Sequence, residues 1–141
     1  MLQPTEWDIK IGPTRHAYFG VRLTESLRVT SGATLIDADG RLGGEAISGQ
    51  VSDWVDCSGT IAAGQKAGIA LFPFPSAAGN PWFVADWGTL TVNPLAREAI
   101  KIKRGEPLDL AIRVIVHDGD VQEAHIADRY RAFIGEISDS Q

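Results

Sequence analysis

The chain has 141 residues, a formal net charge of −5, 44% hydrophobic residues and 22% charged residues. This composition is typical of one folded domain, and the acidic balance disfavours non-specific binding to nucleic acid. Cys57 is the only cysteine, which excludes an internal disulfide. We see neither a signal peptide nor an apolar run long enough to span a membrane, and we therefore expect a cytoplasmic protein without membrane or nucleic-acid partners.

Short segments in which apolar and polar residues alternate dominate the first four-fifths of the chain and predict β-strands. Two stretches rich in glycine or proline, residues 41–50 and 73–81, predict loops. In the last predicted strand, Leu110, Ile112 and Val114 keep a strict period of two. The predicted strands cover residues 7–11, 18–23, 27–30, 33–36, 51–57, 67–72, 82–86, 89–92, 99–103 and 108–116.

The period then changes to that of an α-helix, over about residues 121–135. Asp120 and Glu123 have the spacing of a capping box, and Gly135 marks the expected end. Many short strands followed by one helix predict a mostly β fold, an antiparallel β-sandwich with one C-terminal α-helix, as a single domain over residues 1–141.

A series of short phrases lies along the chain, at residues 19–22, 44–45, 54–56, 58–59, 68–70, 87–88, 93–94, 105–108 and 116–119. Together they resemble the C-terminal half of the PmoA-like family, a methane-oxygenase-like family of unknown function. The resemblance implies that the histidine-rich half of that family is missing. It also implies an exposed apolar surface, which a homo-oligomer or a second subunit would cover.

The ionisable residues give one set of catalytic candidates. His16, His117 and His125 form neither an HxH nor an HExxH pattern, so we expect no metal and no cofactor. Glu45, Asp86 and His117 are candidate acid–base residues for an enzyme that acts on a sugar-like or small organic substrate. The alternative is that the carboxylates form structural ion pairs and that His117 bonds the backbone at the end of its strand.

The aromatic residues give a set of binding candidates. Trp82 follows a Gly-Asn-Pro loop, and we expect it either at the rim of the sandwich, where an indole stacks on a sugar ring, or in the core. Trp54 and Trp87 are expected in the core. Arg22, Trp82 and Asn93 are the predicted substrate-binding residues. The sequence therefore favours a binding or assembly domain whose ligand is a sugar or another small molecule, and a carboxylate/His enzyme is the alternative.

Overall fold

A computed structural model describes residues 1–15 and 19–139 of the chain. No helix within these ranges is long and apolar enough to cross a bilayer. In chain order the elements are β1 (Ile9–Ile11), β2 (Val21–Arg22), β3 (Thr34–Asp37), α1 (Gly43–Ile47), β4 (Val55–Ala62), β5 (Gln65–Pro73), β6 (Trp82–Ala85), β7 (Thr89–Val92), β8 (Ile100–Ile102), β9 (Ile112–Asp118) and α2 (Ile126–Asp139).

The strands pair into three antiparallel sheets. The largest has the order β3-β4-β5-β9, the second has the order β2-β7-β6, and β1 pairs with β8 alone. The first core lies between the two larger sheets and includes Leu35, Val55 and Leu71 from one and Val84 and Leu90 from the other. This arrangement confirms the predicted mostly β sandwich with one C-terminal helix.

Helix α2 covers the other face of the four-stranded sheet. There Ala70 and Phe72 of β5 pack with Ile126 and Phe133 of the helix in a second core. Neighbouring residues of a strand point to opposite faces. The four-stranded sheet is therefore buried on both sides over its central strands, which explains the run of buried residues from Val55 to Ser58.

Helix α2 begins five residues later than the sequence predicts. The predicted capping box is present: the Asp120 N–H donates to Glu123 Oε2 at 2.9 Å, and the Glu123 N–H donates to Asp120 Oδ1 at 3.0 Å. However, this box caps an isolated turn, because the backbone of His125 has a φ of 52°. A left-handed residue interrupts a right-handed helix, so the regular helix starts after it, at Ile126.

Two short segments form helical turns that the sequence does not predict. Residues 41–50, predicted as a loop, contain helix α1, whose Ile47 is fully buried in the first core. Residues 27–30, predicted as a strand, instead carry two short 3-10 turns at Glu25–Leu27 and Val29–Ser31. Both segments are short, and burial of one or two side chains decides their conformation more than local periodicity does.

Strand β9 forms an edge of the four-stranded sheet, since it pairs only with β5. On the face that is turned away from α2, Val114 and Val116 are exposed, Val116 by 74%. The alternate residues Ile115 and His117 lie under the helix side and are more buried. The apolar period seen in the sequence is thus real, but the outer part of one of its faces has no covering layer.

Candidate functional site

The turn between β6 and β7, residues 86–88, presents an exposed tryptophan. Trp87 is 43% exposed, so the expectation that it fills the core is wrong. Arg22 of β2 pairs with Thr89 across the β2–β7 ladder, and this register brings its guanidinium over the indole, with Cζ 4.8 Å from the ring centroid. The cation–π contact holds both side chains against the turn.

Two of the predicted acidic residues lie beside this turn. The Gly44 N–H donates to Asp86 Oδ1 at 2.6 Å, and Glu45 follows as an exposed residue in the first turn of α1. A Cβ on Gly44 would lie 3.0 Å from Asp86 Oδ1 and 3.1 Å from the Cα of Ala85. The absence of a side chain at Gly44 is therefore what lets α1 approach the end of β6 and bring Glu45 close to Asp86.

A second arginine borders the same turn. A Cβ built on Gly88, next to Trp87, would lie 3.1 Å from Arg28 Cγ. The Nε of Arg28 is buried and has no hydrogen-bond partner among the described residues. Neither Arg22 nor Arg28 forms an ion pair with any carboxylate in the described ranges. We call this region, formed by Arg22, Arg28, Glu45, Asp86 and Trp87, the Trp87 surface.

His117, the third predicted acid–base residue, lies elsewhere. Its Nε2 is 2.6 Å from Asp56 Oδ2, and the two side chains are 1% and 0% exposed. Asp56 and His117 point to the α2 side of the four-stranded sheet, whereas Cys57 packs in the first core. Asp86 follows β6, in the sheet on the other side of that core. The sheet therefore separates His117 from Asp86, and the three candidates do not converge in one site.

The contacts of the Asp56–His117 pair indicate where its protons lie. The Nδ1 of His117 is 3.2 Å from the Asp118 carbonyl oxygen, which only accepts, so Nδ1 carries a proton. One further proton lies between Nε2 and the carboxyl group of Asp56. Burial raises the pKa of Asp56, and the contacts with His117 and Ser58 offset this only in part. Asp56 Oδ1 has no partner in the described structure, which also disfavours a carboxylate.

The predicted binding residues Trp82 and Asn93 are structural. Trp82 is 1% exposed in the first core, and its Nε1 donates to the Ser52 carbonyl oxygen at 2.9 Å. The buried Asn93 donates to the Thr14 carbonyl oxygen at 3.0 Å, and its Oδ1 accepts from the Leu95 N–H at 3.0 Å. Both side chains are buried and bond to the backbone, so the structure does not support a ligand-binding role for them.

A groove of about 390 Å³ runs between the end of β3 and the start of α2. Its floor is apolar, with Trp54 as the largest side chain, and its rim carries His125, Asp128 and Arg131. Two of the rim charges satisfy each other, because Arg131 Nη2 is 2.6 Å from Asp128 Oδ1. Trp54 itself is buried, as the sequence predicts.

No three of the histidine, cysteine and acidic residues in the described part of the chain come together as metal ligands. His16, which the sequence considers with the other histidines, lies outside the described residues.

Comparison with known proteins identifies the family of the chain. The chain belongs to a family described as "Family of unknown function (DUF6807)", whose model covers residues 1–131. This finding overturns the resemblance to the C-terminal half of the PmoA-like family, since it accounts for nearly the whole chain with a different family. The phrases behind that resemblance are short turn and strand motifs. No curated protein and no solved structure matches the chain.

The sequence reasoning missed Arg28 and placed Trp87 in the core, and it weighed Asp56 among the carboxylates without pairing it with His117. For Trp87 a signal exists, because an Asp-Trp-Gly sequence between two short strands is typical of an exposed turn. Arg28 and Asp56 have no such signal. Their surroundings depend on which strands are neighbours and in what register, and periodicity within one strand does not contain that information.

Proposed function

We propose that this member of a family of unknown function is a carbohydrate-binding domain and that the Trp87 surface is its binding site. The observation that carries the proposal is the exposed indole of Trp87, which lies between Asp86 and Gly88 and contacts the guanidinium of Arg22. It replaces Trp82, which is buried in the core. Loops at one end of a β-sandwich are a common position for binding residues, because the rigid sheets hold them in place.

The chemistry of this surface matches that of a sugar. The apolar face of a pyranose ring packs on an indole, and the hydroxyl groups at its edge bond to charged groups around it. Asp86 and Glu45 supply acceptors, and Arg22 and Arg28 supply donors. The Gly44 N–H already bonds Asp86 Oδ1, and Arg22 already contacts the indole. Two of the four charged side chains are therefore positioned before a ligand binds.

The groove beside α2 is better formed as a cavity, yet it is the weaker candidate. Its volume suits a small ligand. However, Arg131 and Asp128 on its rim bond to each other, whereas Arg22 and Arg28 of the Trp87 surface have no carboxylate partner in the described ranges. A ligand in the groove would have to compete with an existing ion pair.

The enzyme alternative loses support. It requires Glu45, Asp86 and His117 to act on one substrate, and general acid–base catalysis needs groups within hydrogen-bond reach of the reacting atoms. The four-stranded sheet stands between His117 and the two carboxylates, and the His117 side chain is enclosed.

The test is calorimetric titration of the protein with a panel of neutral and acidic oligosaccharides. We expect Trp87→Ala to weaken binding by about tenfold or more, since loss of a stacked aromatic ring removes on the order of 1–3 kcal/mol. Trp7→Ala is the matched control: Trp7 is 77% exposed but lies near β1, and its loss should leave the affinity unchanged. If no sugar binds, or if both variants weaken binding equally, the proposal is wrong.

Assembly is the second candidate, and the exposed edge of β9 favours it. The family assignment removes the argument that a partner replaces a missing half of the protein. Strand β9 nevertheless has one edge without a neighbouring strand, and Val114 and Val116 are exposed beside that edge. Antiparallel pairing of two copies about Ile115 would set Val114 of each copy against Val116 of the other. Such a self-complementary contact is what a two-fold dimer requires.

Light scattering at several protein concentrations tests the assembly candidate. A dimer that Val116→Lys converts into a monomer would support it, because a lysine on an edge strand opposes strand addition. Ile134→Lys, on the exposed side of α2, is the control and should leave the mass unchanged. A monomer at every concentration would exclude the candidate.

A further inference from the structure

We infer that the groove between β3 and α2 is a second binding site, for a small neutral molecule that has an apolar ring and one hydrogen-bond acceptor. The groove shares no residue with the Trp87 surface, and the inference does not rest on the carbohydrate proposal. Its volume of about 390 Å³ lies within the range of roughly 300–1,000 Å³ that small-molecule sites occupy.

The floor of the groove is apolar because it lies over the second core. Trp54 and Ile126 belong to that core, and Ile36, Ala38 and Val121 pack against it. All five residues line the groove. An apolar ring bound there removes apolar surface from water, which is the main source of affinity for a small ligand.

The indole of Trp54 supplies an unused donor. Its Nε1–H makes no hydrogen bond in the described part of the chain, unlike that of Trp82, which donates to the Ser52 carbonyl oxygen. Among the described side chains, only Arg28 Nε and Asp56 Oδ1 are enclosed without a partner. The Trp54 N–H therefore keeps contact with solvent, although the residue as a whole is only 8% exposed. Since Trp54 lines the groove, this donor lies on its floor, where it requires an acceptor from a ligand.

The rim of the groove explains why the ligand is neutral. Arg131 Nη2 lies 2.6 Å from Asp128 Oδ1, and the buried Asp37 accepts from Arg41 Nε at 2.7 Å. A charged ligand finds its opposite charge already paired there, and it loses its hydration on the apolar floor. A neutral ligand that bonds only to the Trp54 N–H leaves both ion pairs in place and does not compete with them.

The experiment titrates the isotope-labelled protein with four probes of similar size: acetophenone, ethylbenzene, benzoate and benzylammonium. NMR spectra show the indole N–H signals, and the signal of Trp54 is the one that Trp54→Phe removes. We expect acetophenone to shift the Trp54 signal and to leave the Trp87 signal in place. The other three probes should bind about threefold or more weakly, because each lacks either the acceptor or the neutral charge.

Three variants assign the site, with binding measured from the signals of the probes. Trp54→Phe keeps a ring but removes the donor, so it should weaken acetophenone about threefold or more and leave ethylbenzene unchanged. Ala127→Phe fills the groove from an exposed position of α2 and should abolish binding of every probe. Ala132→Phe is the matched control, an exposed alanine of the same helix outside the groove, and should bind as the wild type does. Circular dichroism checks the fold of each variant, and Ala127→Phe decides the test if Trp54→Phe is unfolded.

The outcomes are distinct. A Trp54 signal that no probe shifts, or equal binding to the wild type and to Ala127→Phe, would overturn the inference. Tighter binding of benzoate or benzylammonium than of acetophenone would overturn the neutral class, and equal binding of ethylbenzene would overturn the role of the acceptor. The titration with sugars tests the Trp87 surface separately, so either proposal can fail without the other.

Discussion

Gly68→Ala should strongly destabilise the fold through the buried Asp56–His117 pair. His117 on β9 reaches Asp56 on β4 by crossing the intervening strand β5 at Gly68, with which it is in register. A Cβ at residue 68 would lie 2.4 Å from His117 Cε1, 2.5 Å from Nε2 and 2.7 Å from the Cβ of Ser58. These distances are far below van der Waals contact, so the imidazole has to move.

The expected decrease in the free energy of unfolding comes from the steric overlap and from the lost contact between His117 and Asp56. The overlap alone costs about 1–3 kcal/mol when a packed core is overfilled. Loss of the 2.6 Å contact with Asp56 leaves a buried carboxyl group without its partner, and an unsatisfied buried polar group costs about 1–3 kcal/mol more. Together the two effects give an expected loss of about 2–6 kcal/mol, and a fall in Tm on the order of 10–20 °C.

Urea denaturation followed by tryptophan fluorescence measures this change. Gly135→Ala is the control: nothing lies within 4 Å of a Cβ at that helical position, and alanine there should be neutral or slightly stabilising. In the Gly68→Ala background, a further His117→Ala change should cost little, because the contact is already broken. A loss of less than about 1 kcal/mol for Gly68→Ala would refute the reasoning, since it would mean that the imidazole does not lie over residue 68.

Three further predictions concern buried side chains. The raised pKa of Asp56 means that the folded state binds its proton more tightly than the unfolded state does, so its contribution to stability is full at low pH and is lost as the pH rises above the ordinary value of 3.8. The free energy of unfolding of Asp56→Asn should therefore decrease less with rising pH than that of the wild type in the same titration, and parallel pH profiles would contradict this. Burial raises the pKa of the Cys57 thiol to about 12, so we expect a thiol reagent to label the native protein only as fast as it unfolds, and immediate labelling without urea would show that the thiol is accessible. Trp82→Ala should cost about 3–5 kcal/mol in the same denaturation assay, whereas Trp87→Ala should cost much less, and equal losses would mean that their burial is not as described.

Periodicity predicts the strands that have one clear inner face. Trp82–Ala85 and Thr89–Val92 lie where the sequence places them, because both are short strands bounded by turn residues. The order of strands in the sheets is not accessible in this way. It depends on long-range pairing, such as that of β5 with β9, which brings residues nearly fifty positions apart into one layer.

The site was harder to predict than the fold for the same reason. The tryptophans and carboxylates of the sequence indicate a sugar site. Which tryptophan is available to a ligand depends on its exposure, and the exposure is set by the three-dimensional packing. Trp82 is enclosed between the sheets, and Trp87 stands in the turn that follows. The sequence makes His117 an acid–base candidate, but nothing in it shows that Asp56 lies opposite to the imidazole.

The crossing of His117 over Gly68 also constrains how this sequence can change. The residues at positions 56, 68 and 117 belong to three neighbouring strands and face the same side of the sheet, so their side chains compete for the same volume. A relative with a larger side chain at position 68 has no room for an imidazole at position 117, and without that imidazole an acid at position 56 is left buried alone. We therefore expect these three positions to be substituted together among relatives, with an apolar residue at 56 wherever 68 is no longer glycine.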